Sequence, residues 1–146
     1  YISTSLKISS YVHISSGCKI IGGPESSVEM KNFSTLSPNV VLSAGSDDYL
    51  NGIATPLVDK KYKGNAVLGK IILNEHTIVG SNSTILPNVT LNKGSTVGAN
   101  SVVNSDLEEW SLNVGIPSRK IKNRDKNEIL RLEKDFFKEF LEYKNG

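Results

Sequence analysis

Aliphatic residues recur every six positions through the second half of the chain: Leu73, Val79, Ile85, Leu91, Val97 and Val103. A second pattern runs in phase. Thr77, Ser83, Val89, Ser95 and Ser101 each follow an aliphatic by four, and all are small or β-branched. The opening segment has the same period in Ile2, Ile8, Ile14 and Ile20, with Leu6, Val12 and Cys18 in the second slot. Met30, Leu36 and Leu42 form a middle register, with Ser34, Val40 and Ser46 four later. A helix buries positions 3.6 apart and a strand positions 2 apart. A spacing of six fits neither alone. It fits a short strand plus a turn, with one aliphatic and one small residue inward per unit. Three units close a triangular coil, and stacked coils pair like parallel strands about 4.8 Å apart. Each coil then covers the apolar face of the next. The pattern predicts an all-β solenoid.

The period assigns about five coils. Ile2, Ile8 and Ile14 occupy sides one, two and three of the first coil. Ile20, Met30 and Leu36 occupy the second, with a four-residue insertion near Gly22-Gly23-Pro24-Glu25. Leu42, Val67 and Leu73 form the third, Val79, Ile85 and Leu91 the fourth, and Val97 and Val103 open the fifth. An excursion over Asp47–Ala66 interrupts the third coil between sides one and two, and long loops on rigid scaffolds often carry function. The solenoid is expected to stop near Asp106. One domain is expected, with 1–110 the coil and 111–146 a tail segment and helix. Asp125 is placed to cap that helix, which runs to about Tyr143. Ile129, Leu132, Phe136, Phe140 and Tyr143 form its apolar stripe, widened by Leu130, Phe137 and Leu141. Such a helix can close the open end of the coil or pack on a neighbouring chain.

Composition narrows the function. Seventeen Lys and Arg stand against fifteen Asp and Glu, a balance that argues against nucleic-acid binding. No apolar run reaches the roughly 18 residues of a membrane span. No basic-then-apolar leader opens the chain, so a cytoplasmic location is expected. The single cysteine, Cys18, excludes an internal disulfide and a cysteine zinc site, and it falls in an inward slot. Two histidines, His13 and His76, do not make a three-histidine metal site, so no metal is expected.

The run Ile78-Val79-Gly80-Ser81-Asn82-Ser83-Thr84-Ile85-Leu86-Pro87-Asn88-Val89, continued by Val97-Gly98-Ala99-Asn100-Ser101-Val102-Val103, resembles the hexapeptide-repeat acyltransferases. The tail Val114-Gly115-Ile116-Pro117-Ser118-Arg119-Lys120-Ile121-Lys122 is similar to the GxPAKxIK tail of the maltose, galactoside and xenobiotic O-acetyltransferases. The resemblance implies a left-handed parallel β-helix, a homotrimer, acetyl-CoA as co-substrate, and active sites between adjacent subunits. Relatives often carry a catalytic histidine in the excursion. Here Ser43-Ala44-Gly45-Ser46-Asp47-Asp48-Tyr49 has none, a departure from the pattern.

Acetyl transfer to a hydroxyl or amine needs a base for the acceptor proton and a means of holding the acceptor against the thioester. His76, expected in the turn between sides three and one and pointing outward, is one candidate base; a solvated turn residue is the plain alternative. His13, at the corner between sides two and three, is the other. Asp47 and Asp48 point opposite ways in an extended loop. One can face the site, pairing with a histidine of the next chain or binding an acceptor group; otherwise both are turn residues. Arg119, Lys120, Lys122 and Arg124 suit the phosphates of CoA, or form a solvated basic patch. Gly80-Ser81 and Gly98-Ala99 let pantetheine approach the backbone, or serve the repeat's own need for small turns. Ile116 and Pro117 complete the expected donor site. Trp110 and Tyr49 can stack on a ring, with packing the plainer use of Trp110.

The reading is an acetyl-CoA-dependent O-acetyltransferase acting on a sugar or glycan, in surface-polysaccharide biosynthesis. Its alternative is an N-acetyltransferase on a nucleotide-linked amino sugar, since an amine acceptor needs less help from a base. A non-catalytic trimeric scaffold is the alternative of another class.

Overall fold

The computed structural model describes residues 1–146. It is a three-sided parallel coil with an excursion, a C-terminal hairpin and one helix. The register of the ladders fixes which residue stands above which. Ile2, Ile20, Leu42, Ile85 and Val103 stack on side one. Ile8, Met30, Leu73, Leu91 and Leu107 stack on side two. Ile14, Leu36, Val79, Val97 and Asn113 stack on side three. The middle coils supply fully buried rungs such as Met30, Leu36, Leu42, Leu73, Val79, Ile85 and Leu91. Small partners such as Ser34, Thr77 and Ser83 fill the second inward slot, and Cys18 is buried there with Sγ donating to Ser37 O. These hydroxyls are tolerated inside because the backbone turns accept from them: Ser34 Oγ donates to Lys31 O and Thr77 Oγ1 to Asn74 O.

Two expectations shift. Leu42 and Leu73 are consecutive inward rungs, so Val67 is not one. Val67–Leu68 pairs antiparallel with Gly45–Ser46 and forms the stem of the excursion, half exposed. Val67 is six before Leu73 and so mimics the repeat, which periodicity alone cannot detect. Every later rung therefore moves on by one side, and His76 sits between sides two and three rather than three and one. The coil also runs past Asp106. Ser111–Gly115 pairs in parallel above Thr96–Val97, so coil five closes through Leu107 and Asn113. Inward Asn113 is satisfied there, donating from Nδ2 to Thr96 O and Ser111 Oγ. The chain then reverses into Ser118–Asn123, antiparallel to Ser111–Gly115.

The helix Lys126–Asn145 starts where expected, with Asp125 accepting from Glu128 N at 3.0 Å. It covers neither end of the coil. It lies along the corner between sides two and three, reaching Tyr11 and Phe33 through Phe136 and Phe137. Phe137, Glu133 and Ile129 are half buried, whereas Leu132 and Phe136 of the expected stripe remain exposed. The stripe is rotated because its partner is a column of rings, not a flat surface.

Candidate active site

The two insertions of the sequence meet at one corner. The four extra residues of coil two break the register between Ile20 and Ser27. The excursion leaves coil three directly above them. Gly22 and Gly45 pass so closely that a Cβ on Gly45 would stand 2.6 Å from Gly22 O. Between the two insertions lies a cleft of about 590 Å³, walled by Pro24 and Glu25 on one side and Asp47, Lys60, Lys63 and Val67 on the other. Asp47 and Asp48, just past the strand Gly45–Ser46, face different ways. Asp47 lines the cleft and is exposed. Asp48 turns into the excursion, where Oδ1 accepts from Leu50 N and Asn51 N and Oδ2 from Asn65 N, at 2.9–3.0 Å. These N–H donors, Asn65 first, hold its carboxyl below the usual carboxylate range.

The excursion brings two cations that sequence reasoning passed over. Lys60 opens a short 3₁₀ turn, Lys60–Tyr62, capped by the Asp59 carboxylate accepting from Lys61 N. Lys63 follows it. Lys60 Nζ lies 3.5 Å from Glu25 Oε1 across the cleft, an exposed and weak pair. The run Lys60-Lys61-Tyr62-Lys63 inside an insertion was the available signal.

Neither histidine reaches this cleft. His76 is a rung in a column of rings at the corner between sides two and three. Tyr11 stacks on Phe33 at 5.1 Å, Phe33 on His76 at 4.9 Å, and His76 faces Trp110 at 6.0 Å. Coil four contributes Gly94, whose missing side chain makes room for the Trp110 ring. The helix covers the column, and His76 Nε2 lies 3.3 Å from Glu133 Oε1 with the imidazole 11% exposed. His76 thus points outward, as expected, and against its own helix. His13 begins side three in coil one, exposed, away from the cleft.

The expected donor residues gather at the corner between sides three and one. Ser37 N, Gly80 N and Gly98 N donate upward to Val79 O, Val97 O and Asn113 O, so these three residues form a column. Ser81 and Ala99 flank it. The hairpin tip closes over the top, with Gly115 N donating to Ser101 Oγ. Ile116, next to Pro117 at the tip, is 74% exposed. The two glycines answer to the coil itself. A Cβ on Gly80 would stand 2.6 Å from Ala99 N, and one on Gly98 2.6 Å from Val114 Cγ1. The basic tail splits. Arg119 and Lys122 are exposed, and Lys120 pairs with Glu108 at 2.9 Å. Arg124 belongs to the ring column instead. Its guanidinium donates to His76 O and Gly94 O and lies over Trp110, and burial pulls its pKa down. It staples the column through one guanidinium nitrogen, Nη1.

No group of His, Cys, Asp and Glu is arranged to hold a metal ion. No helix is long and apolar enough to cross a membrane.

No family model matches the chain. It is 34% identical over 132 residues to a dTDP-4-amino-4,6-dideoxy-D-glucose acyltransferase of Escherichia coli, spanning 90% of this chain and 67% of that protein. It superposes with a TM-score of 0.89 and 39% identity on AntD, an N-acyltransferase from Bacillus cereus in complex with dTDP and 3-hydroxybutyryl-CoA. That match covers 95% of this chain and 73% of the other. A hexapeptide-repeat acetyltransferase from Vibrio cholerae, complexed with acetyl coenzyme A, shares the fold at a TM-score of 0.69 and 20% identity, over 86% of this chain and 66% of the other. The chain belongs to the hexapeptide-repeat acyltransferases and folds as their left-handed parallel β-helix.

Proposed function

We propose that the chain transfers an acyl group from a CoA thioester to the amine of a dTDP-linked amino sugar. The observation that carries this reading is the cleft itself. It offers a free carboxylate, Asp47, and two lysines, Lys60 and Lys63, but no imidazole. A sugar hydroxyl needs a strong base near neutral pH. An amine does not, because it becomes nucleophilic on losing one proton. The similarity to proteins that act on, or bind, dTDP and its amino sugar points the same way. The hydroxyl acceptor therefore gives way to the amine, and the maltose and galactoside branch suggested by the tail gives way to the amino-sugar N-acyltransferases.

Asp47 holds the ammonium of the acceptor and accepts its proton. The freed amine attacks the thioester carbonyl and the C–N bond forms; as the C–S bond breaks, the nitrogen gives up its second proton, which protonates the departing CoA thiolate. Lys60 and Lys63 meet the diphosphate of the nucleotide. The diphosphate takes the place of the weak contact that Lys60 makes with Glu25. Gly80, Ser81, Gly98, Ala99 and the hairpin tip, with Arg119, Lys120 and Lys122, form the donor side. Solved forms of AntD carry substitutions at a serine and at an aspartate ten positions further on. Ser37 and Asp47 are the one Ser–Asp pair with that spacing here.

Ser37 and Asp47 lie at opposite ends of the side-one strand Val41–Ser43. One chain thus holds the donor column and the acceptor cleft at different corners. The reading therefore requires a closed ring, a homotrimer, in which the column of one chain would stand against the cleft of the next. The product is an acylated nucleotide sugar, suited to glycan assembly in the cytoplasm.

Thiol release from acetyl-CoA tests the reading. With dTDP-4-amino-4,6-dideoxyglucose the enzyme releases CoA, and with the 4-hydroxy counterpart it does not. Equal release with both acceptors would overturn the amine reading.

A further inference from the structure

We propose that Asp48 is a positioning residue for this reaction: by tying the outgoing limb of the excursion to the returning one, it fixes the direction in which Asp47 faces the cleft. The inference rests on the role of Asp47 proposed above. The Asp48 carboxylate is fully engaged. Two of its bonds, from Leu50 N and Asn51 N, close a turn in the outgoing limb. The third, from Asn65 N, spans seventeen residues to the returning limb. That last bond has a particular address. Lys63 and Gly64 precede Asn65, and Ala66, Val67 and Leu68 follow it, and all five line the cleft. Asp48 thus pins one wall of the cleft to the residue beside Asp47.

The local backbone leaves little alternative. Gly64 has φ +66°, and a Cβ there would meet Asp48 Oδ2 at 2.5 Å. A Cβ on Gly52 would collide with Lys63 O. The two limbs are therefore packed backbone to backbone around one side chain. Asp47 and Asp48 are adjacent, so fixing Asp48 inside the loop also fixes the backbone that directs Asp47 to the cleft. A misplacement of the reacting group by about 1 Å costs on the order of a hundredfold in rate. Asp48 acts through Asp47 and touches neither substrate.

The variant Asp48→Asn isolates the inter-limb bond. Its one carbonyl oxygen still serves Leu50 and Asn51, while its NH₂ opposes the Asn65 N–H. Activity is measured with acetyl-CoA and dTDP-4-amino-4,6-dideoxyglucose. We expect kcat to fall about 10- to 50-fold, with the KM for acetyl-CoA unchanged. In an Asp47→Ala background the same change costs nothing further, because the group it positions is gone. Hydrogen exchange at the Asn65 amide speeds up in Asp48→Asn, which reports the broken bond whatever the activity. Losses that multiply in the double variant, or an unchanged kcat with a freely exchanging Asn65 amide, would overturn the positioning role. A wild-type enzyme that acylates no amine would overturn the underlying function instead.

Discussion

Phe33 and His76 lie face to face, ring centres 4.9 Å apart and planes 9° from parallel. They stand one above the other because both occupy the same turn position, three residues after an inward rung, in adjacent coils. Trp110 closes the column from above and the C-terminal helix seals it. The stack makes His76 part of the architecture. His76→Ala should cost about 2–3 kcal/mol of stability, from the lost ring contacts and the space left behind. Thermal unfolding shows the loss, and kcat at a temperature where the variant is folded stays within about threefold of wild type, a mild effect that fits an amine acceptor. His13→Ala leaves both stability and kcat essentially unchanged.

Asp47 carries the acceptor chemistry in this account. Asp47→Ala should lower kcat by about 10²- to 10³-fold, in the range of a lost general base, with the KM for acetyl-CoA little changed. Initial rates with either substrate varied separate the two effects.

Lys60 and Lys63 are assigned to the diphosphate. Replacing both with Ala should raise the KM for the nucleotide sugar by about 10- to 100-fold and leave that for acetyl-CoA alone. Binding of dTDP by calorimetry gives the same contrast, and raised salt reduces it in the wild type.

Gly80 lies under backbone, not under a flexible side chain. Gly80→Ala places a Cβ against Ala99 N and Gly98 C. It should destabilise the coil by about 1–3 kcal/mol, read as a lower midpoint of thermal unfolding. Gly98→Ala is expected to be milder, since the Val114 side chain has room to turn.

The pH response of the excursion follows from Asp48. Its pKa is lowered in the folded protein, chiefly by the Asn65 N–H and then by those of Leu50 and Asn51. Its contribution is therefore fully present above about 3.9, the ordinary carboxylate value, and is lost only as pH falls through the lower folded value. Amide signals of Leu50, Asn51 and Asn65 should hold their shifts down to about pH 4 and move together below it. Asp48→Asn removes that acid transition.

The coil was legible because each buried rung is one residue in six, and a single aliphatic at that position suffices. The helix was legible from Asp125 and its apolar spacing. The phase slip at Val67 was not, since an excursion stem and an inward rung both favour valine. Asp47 was legible as a carboxylate in an insertion, and Asp48 beside it looks identical in sequence. They are told apart by the bonds to Asp48 from Leu50, Asn51 and Asn65 and by the place of Asp47 on the cleft wall. The surroundings of His76 were not legible because the ring column is assembled from successive coils, with Trp110 reaching down past Gly94 from two coils above. Tyr11, Phe33, His76 and Trp110 look unrelated until the insertions are placed. Lys60 and Lys63 face coil two only after the excursion folds back, so their partner was invisible too.

The atom that receives the acyl group tests the central claim most directly. Carbonyl-¹³C acetyl-CoA and dTDP-4-amino-4,6-dideoxyglucose labelled with ¹⁵N at the amine are incubated with the enzyme, and the product is examined by NMR. The account predicts a one-bond carbon–nitrogen coupling, the mark of an amide. A product whose labelled carbonyl shows no such coupling, because it is an ester of a ring hydroxyl, would contradict it.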